Sequence, residues 1–226
     1  MRLILVHSPL VGPASWGGVP AELAQRGYES KVVALPDWGG IAKPYYPALA
    51  SAVAEAVEPG DILVVHSGAG GLAASVAAFA ETRLAGVVFV DAILPHPGRS
   101  WFDTASTQLG EALRAAAAEG MLPPWDQWFP PGAIAALTPE GPVRDAFLGE
   151  LAPAPLAYFD EPAPALDVPP VVGWSYLRLS KAYEAEAAQA RALGRPTLRL
   201  ELSHLAMMTH ADEVVSSLAQ LVRRAP

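Results

Sequence analysis

The stretch Asp61-Ile62-Leu63-Val64-Val65-His66-Ser67-Gly68-Ala69-Gly70-Gly71 decides the fold. An apolar run ends at Ser67, and small residues follow before an alanine-rich stretch. This pattern predicts a strand, a very tight turn and a helix, with the serine hydroxyl raised above the sheet edge. The N–H of Gly68 and the helix N-terminus can then stabilise an oxyanion. The motif G-x-S-x-G is altered here, because Val65 and Ala69 stand at its glycine positions, so an ordinary glycine-rich turn is the alternative interpretation.

Short apolar runs alternate with helical patterns on both sides of this stretch. The apolar runs predict strands at residues 2–6, 30–35, 62–65, 86–90, 171–179 and 196–202. The helical patterns lie at residues 16–26, 47–57, 71–81, 181–193 and 211–222. Such alternation predicts an α/β fold, with a mostly parallel sheet of about six strands and helices on both faces.

Residues 93–170 interrupt the alternation. They are rich in proline and aromatic residues, and helical patterns occur at 106–118 and 143–151. Because a disordered linker would carry few aromatic side chains, this stretch predicts a helical lid inserted into a core formed by residues 1–92 and 171–226. Trp125 and Trp128 are expected to line an apolar pocket beneath the lid; simple packing of the lid on the sheet is the alternative.

The composition restricts the class of protein. The chain has 226 residues, 52% of them hydrophobic, which suits one domain with a large core. A net charge of −8 without strong basic clusters argues against a nucleic-acid partner, and the lack of cysteine excludes disulfides and thiolate metal sites. The first apolar segment is too short for a signal peptide, and no apolar run approaches the roughly 20 residues that span a bilayer. We therefore expect a cytoplasmic protein with a small-molecule substrate and no membrane partner, and leave a homodimer open.

His204 is the predicted general base. It follows the strand at 196–202 and precedes the last helix, so it stands where functional groups of parallel sheets gather. Ser67 occupies another such strand end, and a serine nucleophile needs a base. A structural hydrogen-bonding histidine is the alternative. His66 adjoins Ser67 but leaves the strand from the opposite face, and His7 is expected to order the loop that it faces.

Several motifs together carry a family resemblance. They are Leu5-Val6-His7-Ser8 with Gly12 and Trp16, Leu35-Pro36-Asp37, Val65-His66-Ser67-Gly68-Ala69-Gly70, Val90-Asp91-Ala92, and His204. On these residues the chain resembles the α/β-hydrolase superfamily, most closely the small branch of methylesterases and hydroxynitrile lyases and uncharacterised actinobacterial α/β hydrolases. The resemblance covers most of the chain. It implies a Ser–His–acid site under a helical cap, with no cofactor and no metal.

The acid of this site departs from the family pattern. In this branch it normally follows the strand predicted at 171–179, but here the turn Leu179-Ser180-Lys181-Ala182-Tyr183 contains no carboxylate. Asp91 is the predicted substitute, since some members of the superfamily carry their acid after the strand that follows the nucleophile; bracing the lid entry is the alternative role. Glu184 and Glu186 are weaker candidates, because helical glutamates usually lie on a solvated face.

The oxyanion hole departs from the pattern as well. One donor should be the N–H of Gly68, and the resemblance assigns the other to Pro9, which has no N–H. The N–H of Leu10 or the hydroxyl of Ser8 could replace it if the loop shifts. Ser8 also stands where the hydroxynitrile lyases carry a threonine that contacts substrate. One of the two methionines after His204 should pack inward and the other line the pocket, and we assign Met207 to the pocket.

The leading hypothesis is a serine hydrolase of small apolar esters, lactones or thioesters, with Ser67, His204 and Asp91 as its catalytic residues. Pro9 and the missing usual acid motivate an alternative. In that alternative His204 is the general base of a lyase, cyclase or isomerase acting on a natural-product-like substrate. A third hypothesis is a binding protein that kept the fold and lost the chemistry.

Overall fold

The structure is a computed structural model that describes residues 1–80, 84–169 and 172–223. Some sequence-based boundaries therefore lie outside the described residues. They are the end of the helix predicted at 71–81, the junction of lid and core at 170–171, and the last three residues of the core at 224–226.

A parallel sheet forms the centre of the described chain. The strands are β1 (Arg2–Val6), β2 (Glu29–Val33), β3 (Ile62–His66), β4 (Gly86–Val90), β5 (Met121–Leu122), β6 (Ala154–Pro155), β7 (Gly173–Arg178) and β8 (Thr197–Arg199). Six of them form the sheet in the order β2-β1-β3-β4-β7-β8, all parallel, while β5 and β6 pair separately and antiparallel. The prediction of a mostly parallel sheet of about six strands is confirmed.

Helices cover both faces of the sheet. They are α1 (Val19–Gln25), α2 (Tyr45–Ala54), α3 (Ala73–Phe79), α4 (Trp101–Thr104), α5 (Thr107–Ala116), α6 (Pro142–Gly149), α7 (Leu156–Asp160), α8 (Glu184–Ala192), α9 (Ala206–Thr209) and α10 (Ala211–Val222). Alternate residues of β1 enter different cores. Ile4 packs with apolar residues of α2, α3 and α8, whereas Leu3 packs with those of α1 and α10. Burial on both faces explains why the strands read as continuous apolar runs.

Several helix starts differ from the predictions; the helix expected at 47–57 begins at Tyr45, and the helix expected at 181–193 begins at Glu184. The helix expected at 16–26 begins only at Val19, after a 3₁₀ turn over Pro13–Trp16. Gly17 breaks the helix with a φ of +48°, and a Cβ there would lie 2.6 Å from the Cα of Met208. The helix expected at 71–81 begins at Ala73, because the residues from Ser67 onward form a 3₁₀ turn first.

The stretch from residue 93 to 169 holds α4 to α7 and the β5–β6 pair, and two of its carboxylates bond to the core. Glu150 accepts a hydrogen bond from Ala14 N at 2.8 Å. Glu161 accepts from Tyr45 N at 2.9 Å and Tyr46 N at 3.0 Å, at the start of α2. Both carboxylates thus bind the stretch to the core, and its function as a lid stays a prediction.

The structure also bears on a membrane location. Among the described residues, no helix combines the length and apolar character that crossing a bilayer requires. The cytoplasmic location stays a prediction.

Candidate active site

Ser67 lies directly after β3, on a strained turn. Its φ is +56°, a left-handed conformation that residues other than glycine seldom adopt. The turn also brings the backbone close to the segment after β4, because a Cβ on Gly70 would overlap the carbonyl oxygen of Ile93. Glycine is therefore required three residues after the serine, and the small Ala69 is fully buried beside it. Such strain fits a serine held above the sheet edge.

Asp91 follows β4 at the same edge of the sheet. His66 pairs with Val90 in the register of β3 and β4, so the residues after them, Ser67 and Asp91, leave neighbouring strands side by side. Asp91 also has a positive φ, +43°, and it is fully buried. Its Oδ2 lies 2.8 Å from Nδ1 of His204. The nearby carboxylate favours the tautomer with the proton on Nδ1, which leaves the lone pair on Nε2 available to accept a proton.

The turn after β7, which has no carboxylate of its own between Leu179 and Tyr183, binds the carboxylate of Asp91. Oδ1 of Asp91 accepts hydrogen bonds from Leu179 N at 2.8 Å and Ser180 N at 2.9 Å. The hydroxyl of Ser180 donates to Oδ2 at 2.6 Å. These donors, together with His204, fix the buried carboxylate in one orientation. The structure thus brings Asp91 and His204 together, as the sequence-based assignment of the acid requires.

His66 supports His204 from inside the protein. It is buried, and its Nε2 lies 3.1 Å from the carbonyl oxygen of His204, to which it donates. The two imidazole rings lie 4.5 Å apart between centroids. Burial lowers the pKa of His66 well below its usual value, and the proximity of His204 lowers it further. His66 is therefore a neutral partner that restrains the His204 loop.

Tyr183 is a site residue that the sequence reasoning missed. Its hydroxyl lies 3.2 Å from Ser67 Oγ. Its ring is stacked on His204, with centroids 5.0 Å apart and planes 11° apart. Within the part of the chain that the structure describes, Ser67 Oγ forms this hydrogen bond and none to His204. The available signal was an aromatic residue in the short turn after the penultimate strand, the turn in which the family pattern places a carboxylate.

The loop after β1 faces Ser67 from the other side. A Cβ added to Gly68 would lie 2.9 Å from Ser8 Oγ and 3.4 Å from Pro9 Cδ, so this loop packs closely against the turn that carries Ser67. Leu10 N donates to Ser8 Oγ at 3.4 Å, and Val11 N donates to the Ser8 carbonyl at 3.1 Å. The N–H of Leu10 is therefore directed into its own loop, and the Ser8 hydroxyl is the group nearest to Gly68.

The two tryptophans assigned to the pocket lie in different places. Trp125 is close to His204, with 6.1 Å between ring centroids. Trp128 packs on Phe159 at 5.8 Å and donates its indole N–H to Pro123 O at 2.9 Å, within the 93–169 stretch. Of these two, the ring that contacts the base is that of Trp125.

The methionine assignment differs from the structure. Met207 is fully buried in the core between the sheet and α1 and α10. Met208 instead joins the apolar cluster of Val11 and Phe147, against which Trp125 packs. The reason is the short helix α9, which directs adjacent side chains to different faces. Met208 is thus the methionine on the Trp125 side, and assigning Met207 to the pocket was wrong.

Neither of the weaker acid candidates forms a hydrogen bond to His204 among the described contacts. The carboxylate of Glu184 pairs with Arg178, Arg191 and Arg199. Glu186 is partly buried, its Oε2 has no hydrogen-bond partner, and its pKa is raised by burial and by Asp91. Among the described residues, no group of three or more potential metal ligands is arranged to hold an ion.

Comparisons with known proteins identify the fold. One match is an extracellular α/β-hydrolase from a Paenibacillus species, described as sharing structural and functional homology with tobacco salicylic acid binding protein 2. Its TM-score is 0.68 at 19% sequence identity, and the match covers 100% of this chain and 98% of that chain. Tomato methylketone synthase I bound to 2-tridecanone gives 0.76 at 16%, over 100% and 98%. A pyrethroid hydrolase from Sphingobium faniae gives 0.70 at 16%, over 99% and 97%. No protein-family profile and no curated protein sequence matches the chain. The architecture of this chain is therefore that of the α/β-hydrolases.

Proposed function

We propose that this protein is a serine hydrolase of small apolar esters, lactones or thioesters. The observation that carries the proposal is the hydrogen bond of 2.8 Å between Asp91 and His204, beside a serine on a strained turn. A carboxylate that binds Nδ1 orients the imidazole and stabilises the imidazolium that forms during turnover. The other hydrogen-bond partners that the structure describes for this carboxylate lie in the turn after β7 and not in the loop that follows Asp91, so bracing of that loop does not account for its position.

In the proposed reaction Ser67 Oγ attacks the acyl carbon while its proton passes to Nε2 of His204. The oxyanion that forms receives the Gly68 N–H and the hydroxyl of Ser8. Ser8 suits this task because its oxygen already accepts from Leu10 N, which leaves its own hydrogen for donation. His204 then gives its proton to the leaving group, and a water activated by the same nitrogen releases the acyl group.

An apolar acyl group is supported by the side chains near the base. Trp125 lies beside His204, and Met208 and Val11 belong to the same apolar cluster. Tomato methylketone synthase I, a structural neighbour, was solved with 2-tridecanone, which has a long apolar chain. The net charge of −8 also favours neutral over anionic substrates.

The test is hydrolysis of short-chain p-nitrophenyl esters by the wild-type protein and by Ser67→Ala. We expect Ser67→Ala to lower kcat by about 10⁴-fold or more, because the nucleophile is lost. A matched serine variant, Ser217→Ala, changes a buried serine of α10 and should keep kcat within a few fold. Turnover by Ser67→Ala at the wild-type rate would refute the hydrolase.

A second candidate is a lyase, cyclase or isomerase in which His204 is the general base. The observation that favours it is the loop of Pro9, which offers no backbone donor where the second one is expected. In this reaction Ser67 and Ser8 position a substrate hydroxyl or carbonyl and no acyl-enzyme forms. A fluorophosphonate separates the two candidates: labelling of Ser67 supports the hydrolase. The absence of labelling, with activity kept in Ser67→Ala and lost in His204→Ala, supports the second candidate.

A further inference from the structure

We infer that Tyr183 is a catalytic residue, whose hydroxyl donates a hydrogen bond to Ser67 Oγ and stabilises the negative charge that develops on this oxygen. The inference deepens the proposed hydrolase and rests on it. A Ser–His–Asp site needs no phenol at this place, so Tyr183 would add a group to the machinery.

The geometry places Tyr183 against both reacting residues. The phenol oxygen lies 3.2 Å from Ser67 Oγ, and the ring lies nearly parallel to the imidazole of His204. The turn that carries the tyrosine is itself fixed, because Tyr183 N donates to Ser180 O at 3.3 Å and the Ser180 hydroxyl donates to Asp91. Nucleophile, base and acid are therefore all connected to one short turn.

The protonation of Tyr183 suits a donor rather than a base. Burial raises the pKa of its hydroxyl well above the usual value, and the carboxylates of Asp91 and Glu186 raise it further. The hydrogen bond with Ser67 lowers the pKa; this effect is weaker than that of burial and stronger than that of either carboxylate. The phenol therefore stays neutral at pH 7 and keeps a hydrogen to donate.

This role is compatible with both chemical steps. A serine oxygen accepts one hydrogen bond while its own hydrogen is donated elsewhere. During acylation the Ser67 proton moves to Nε2 of His204 as Oγ bonds to the acyl carbon; the bond from that carbon to the leaving group then breaks, and His204 gives the proton to the leaving group. During deacylation a water gives a proton to Nε2 of His204 as its oxygen bonds to the same carbon; the bond from carbon to Oγ then breaks, and His204 returns that proton to Oγ. Tyr183 keeps its own proton throughout and acts on Ser67 Oγ, not on the oxyanion of the substrate.

The test compares Tyr183→Phe with the wild-type protein in two reactions. One is hydrolysis of p-nitrophenyl butyrate; the other is phosphonylation of Ser67 by a fluorophosphonate, followed by intact mass. The phenylalanine keeps the ring on His204 and removes only the hydroxyl. We expect both second-order rate constants to fall roughly 10- to 100-fold, somewhat less than the loss of a donor on the oxyanion itself. Tyr46→Phe is the matched control, since it removes a buried hydroxyl that contacts His96 at 2.9 Å, away from Ser67.

The outcomes separate this inference from the proposed function. If the rate constants of Tyr183→Phe equal or exceed those of the wild type, the role of Tyr183 is refuted. The hydrolase proposal still stands in that case, provided that the wild-type protein is labelled at Ser67. A wild-type protein that is not labelled at Ser67 overturns both. If Tyr183→Phe does not unfold cooperatively on heating, a second pair of variants replaces it. Tyr183→Trp keeps an aromatic ring and an N–H donor, so its rate constant for hydrolysis must exceed that of Tyr183→Leu. Equal rates for that pair refute the inference.

Discussion

The two sides of the candidate site differ in how completely their polar groups are paired. On the side of His204, Asp91 accepts hydrogen bonds from Leu179 N, Ser180 N, the Ser180 hydroxyl and His204. On the side of the loop after β1, Pro9 has no N–H and Leu10 N is directed to Ser8 Oγ. The orientation of the His204 imidazole is therefore fixed by buried hydrogen bonds, whereas in the proposed reaction the oxyanion depends on one backbone N–H and one hydroxyl.

This difference suggests how the site tolerates its departures from the family pattern. Under the proposed function the acid lies at the end of β4 and not in the turn after β7, and that turn supplies hydrogen-bond donors to it. Asp91 N also donates to Leu177 O at 2.7 Å, so the hydrogen bonds between β4 and β7 continue up to Asp91. Because Pro9 has no N–H, the proposed function assigns the oxyanion to the Gly68 N–H and the Ser8 hydroxyl.

Asp91→Asn gives the largest effect expected on the paired side. An amide cannot stabilise the imidazolium and favours the wrong tautomer of His204, so kcat/KM for a p-nitrophenyl ester should fall by about 10⁴-fold. The matched control is Glu186→Gln, which changes a nearby carboxylate that does not bond to His204; its kcat/KM should stay within a few fold. Similar losses in both variants would contradict the assignment of Asp91 as the acid.

Ser8→Ala tests the unpaired side. If the Ser8 hydroxyl is the second oxyanion donor, its removal should lower kcat by about 10²-fold with little change in KM. Pro9→Ala adds a backbone N–H at the position where the resemblance expects a donor, so it should raise kcat or partly rescue Ser8→Ala. Steady-state kinetics of the two single variants and the double variant measures both effects. An unchanged kcat in Ser8→Ala would contradict the role of Ser8 and would mean that other groups stabilise the oxyanion.

Ser180→Ala has a smaller effect on activity and a measurable one on stability. It removes the hydroxyl that donates to Asp91 at 2.6 Å, while both backbone donors to the same carboxylate remain. We expect the free energy of unfolding in urea to fall by about 1.5–3 kcal/mol, as for hydrogen bonds to charged groups. The kcat should fall less than in Asp91→Asn. A loss of activity as large as in that variant would mean that Ser180, rather than the carboxylate, orients the base.

Acid should destabilise the fold through its buried histidines. Burial lowers the pKa of His66, His7 and His96 from 6.5. The unfolded chain therefore binds more protons below pH 6.5, so stability is present above this pH and is lost as the pH falls toward the pKa values of the folded state. Each such histidine contributes up to about 1.4 kcal/mol per pH unit.

The measurement for this prediction is urea unfolding between pH 5 and pH 7. His66→Gln keeps a donor near the carbonyl of His204 and removes one buried titrating group, so its loss of stability toward pH 5 should be smaller than in the wild type. His210→Gln, a change of an exposed histidine, is the matched control. A wild-type stability that does not decrease below pH 6.5 would contradict the prediction.

The architecture could be predicted from the sequence because both faces of the sheet are buried. Continuous apolar runs such as Arg2–Val6 and Gly86–Val90 identified strands almost residue by residue. Helix starts were less accurate, since 3₁₀ turns and the left-handed Gly17 interrupt periodic patterns locally. The positions of Ser67 and Asp91 followed from strand ends alone, because parallel strands bring their carboxyl ends to one edge.

The rest of the site depends on tertiary contacts that periodicity does not encode. Tyr183 contacts Ser67 although the two residues lie more than a hundred positions apart in the sequence. In the sequence, the turn of Tyr183 stands out only because it lacks the carboxylate that the family pattern places there. The exchange of Met207 for Met208 depends on the direction of a four-residue helix. Trp128 was grouped with Trp125 because both are aromatic, although only packing determines which ring lies beside His204.

The most direct test of the account is a crystal structure of the protein after reaction with a short-chain phosphonate. The account predicts phosphorus bonded to Ser67 Oγ and a phosphonyl oxygen within hydrogen-bond distance of both Gly68 N and Ser8 Oγ. The Nδ1 of His204 should still be bonded to Asp91. Phosphorus on another residue, or a His204 ring turned away from Asp91 in the adduct, would contradict it.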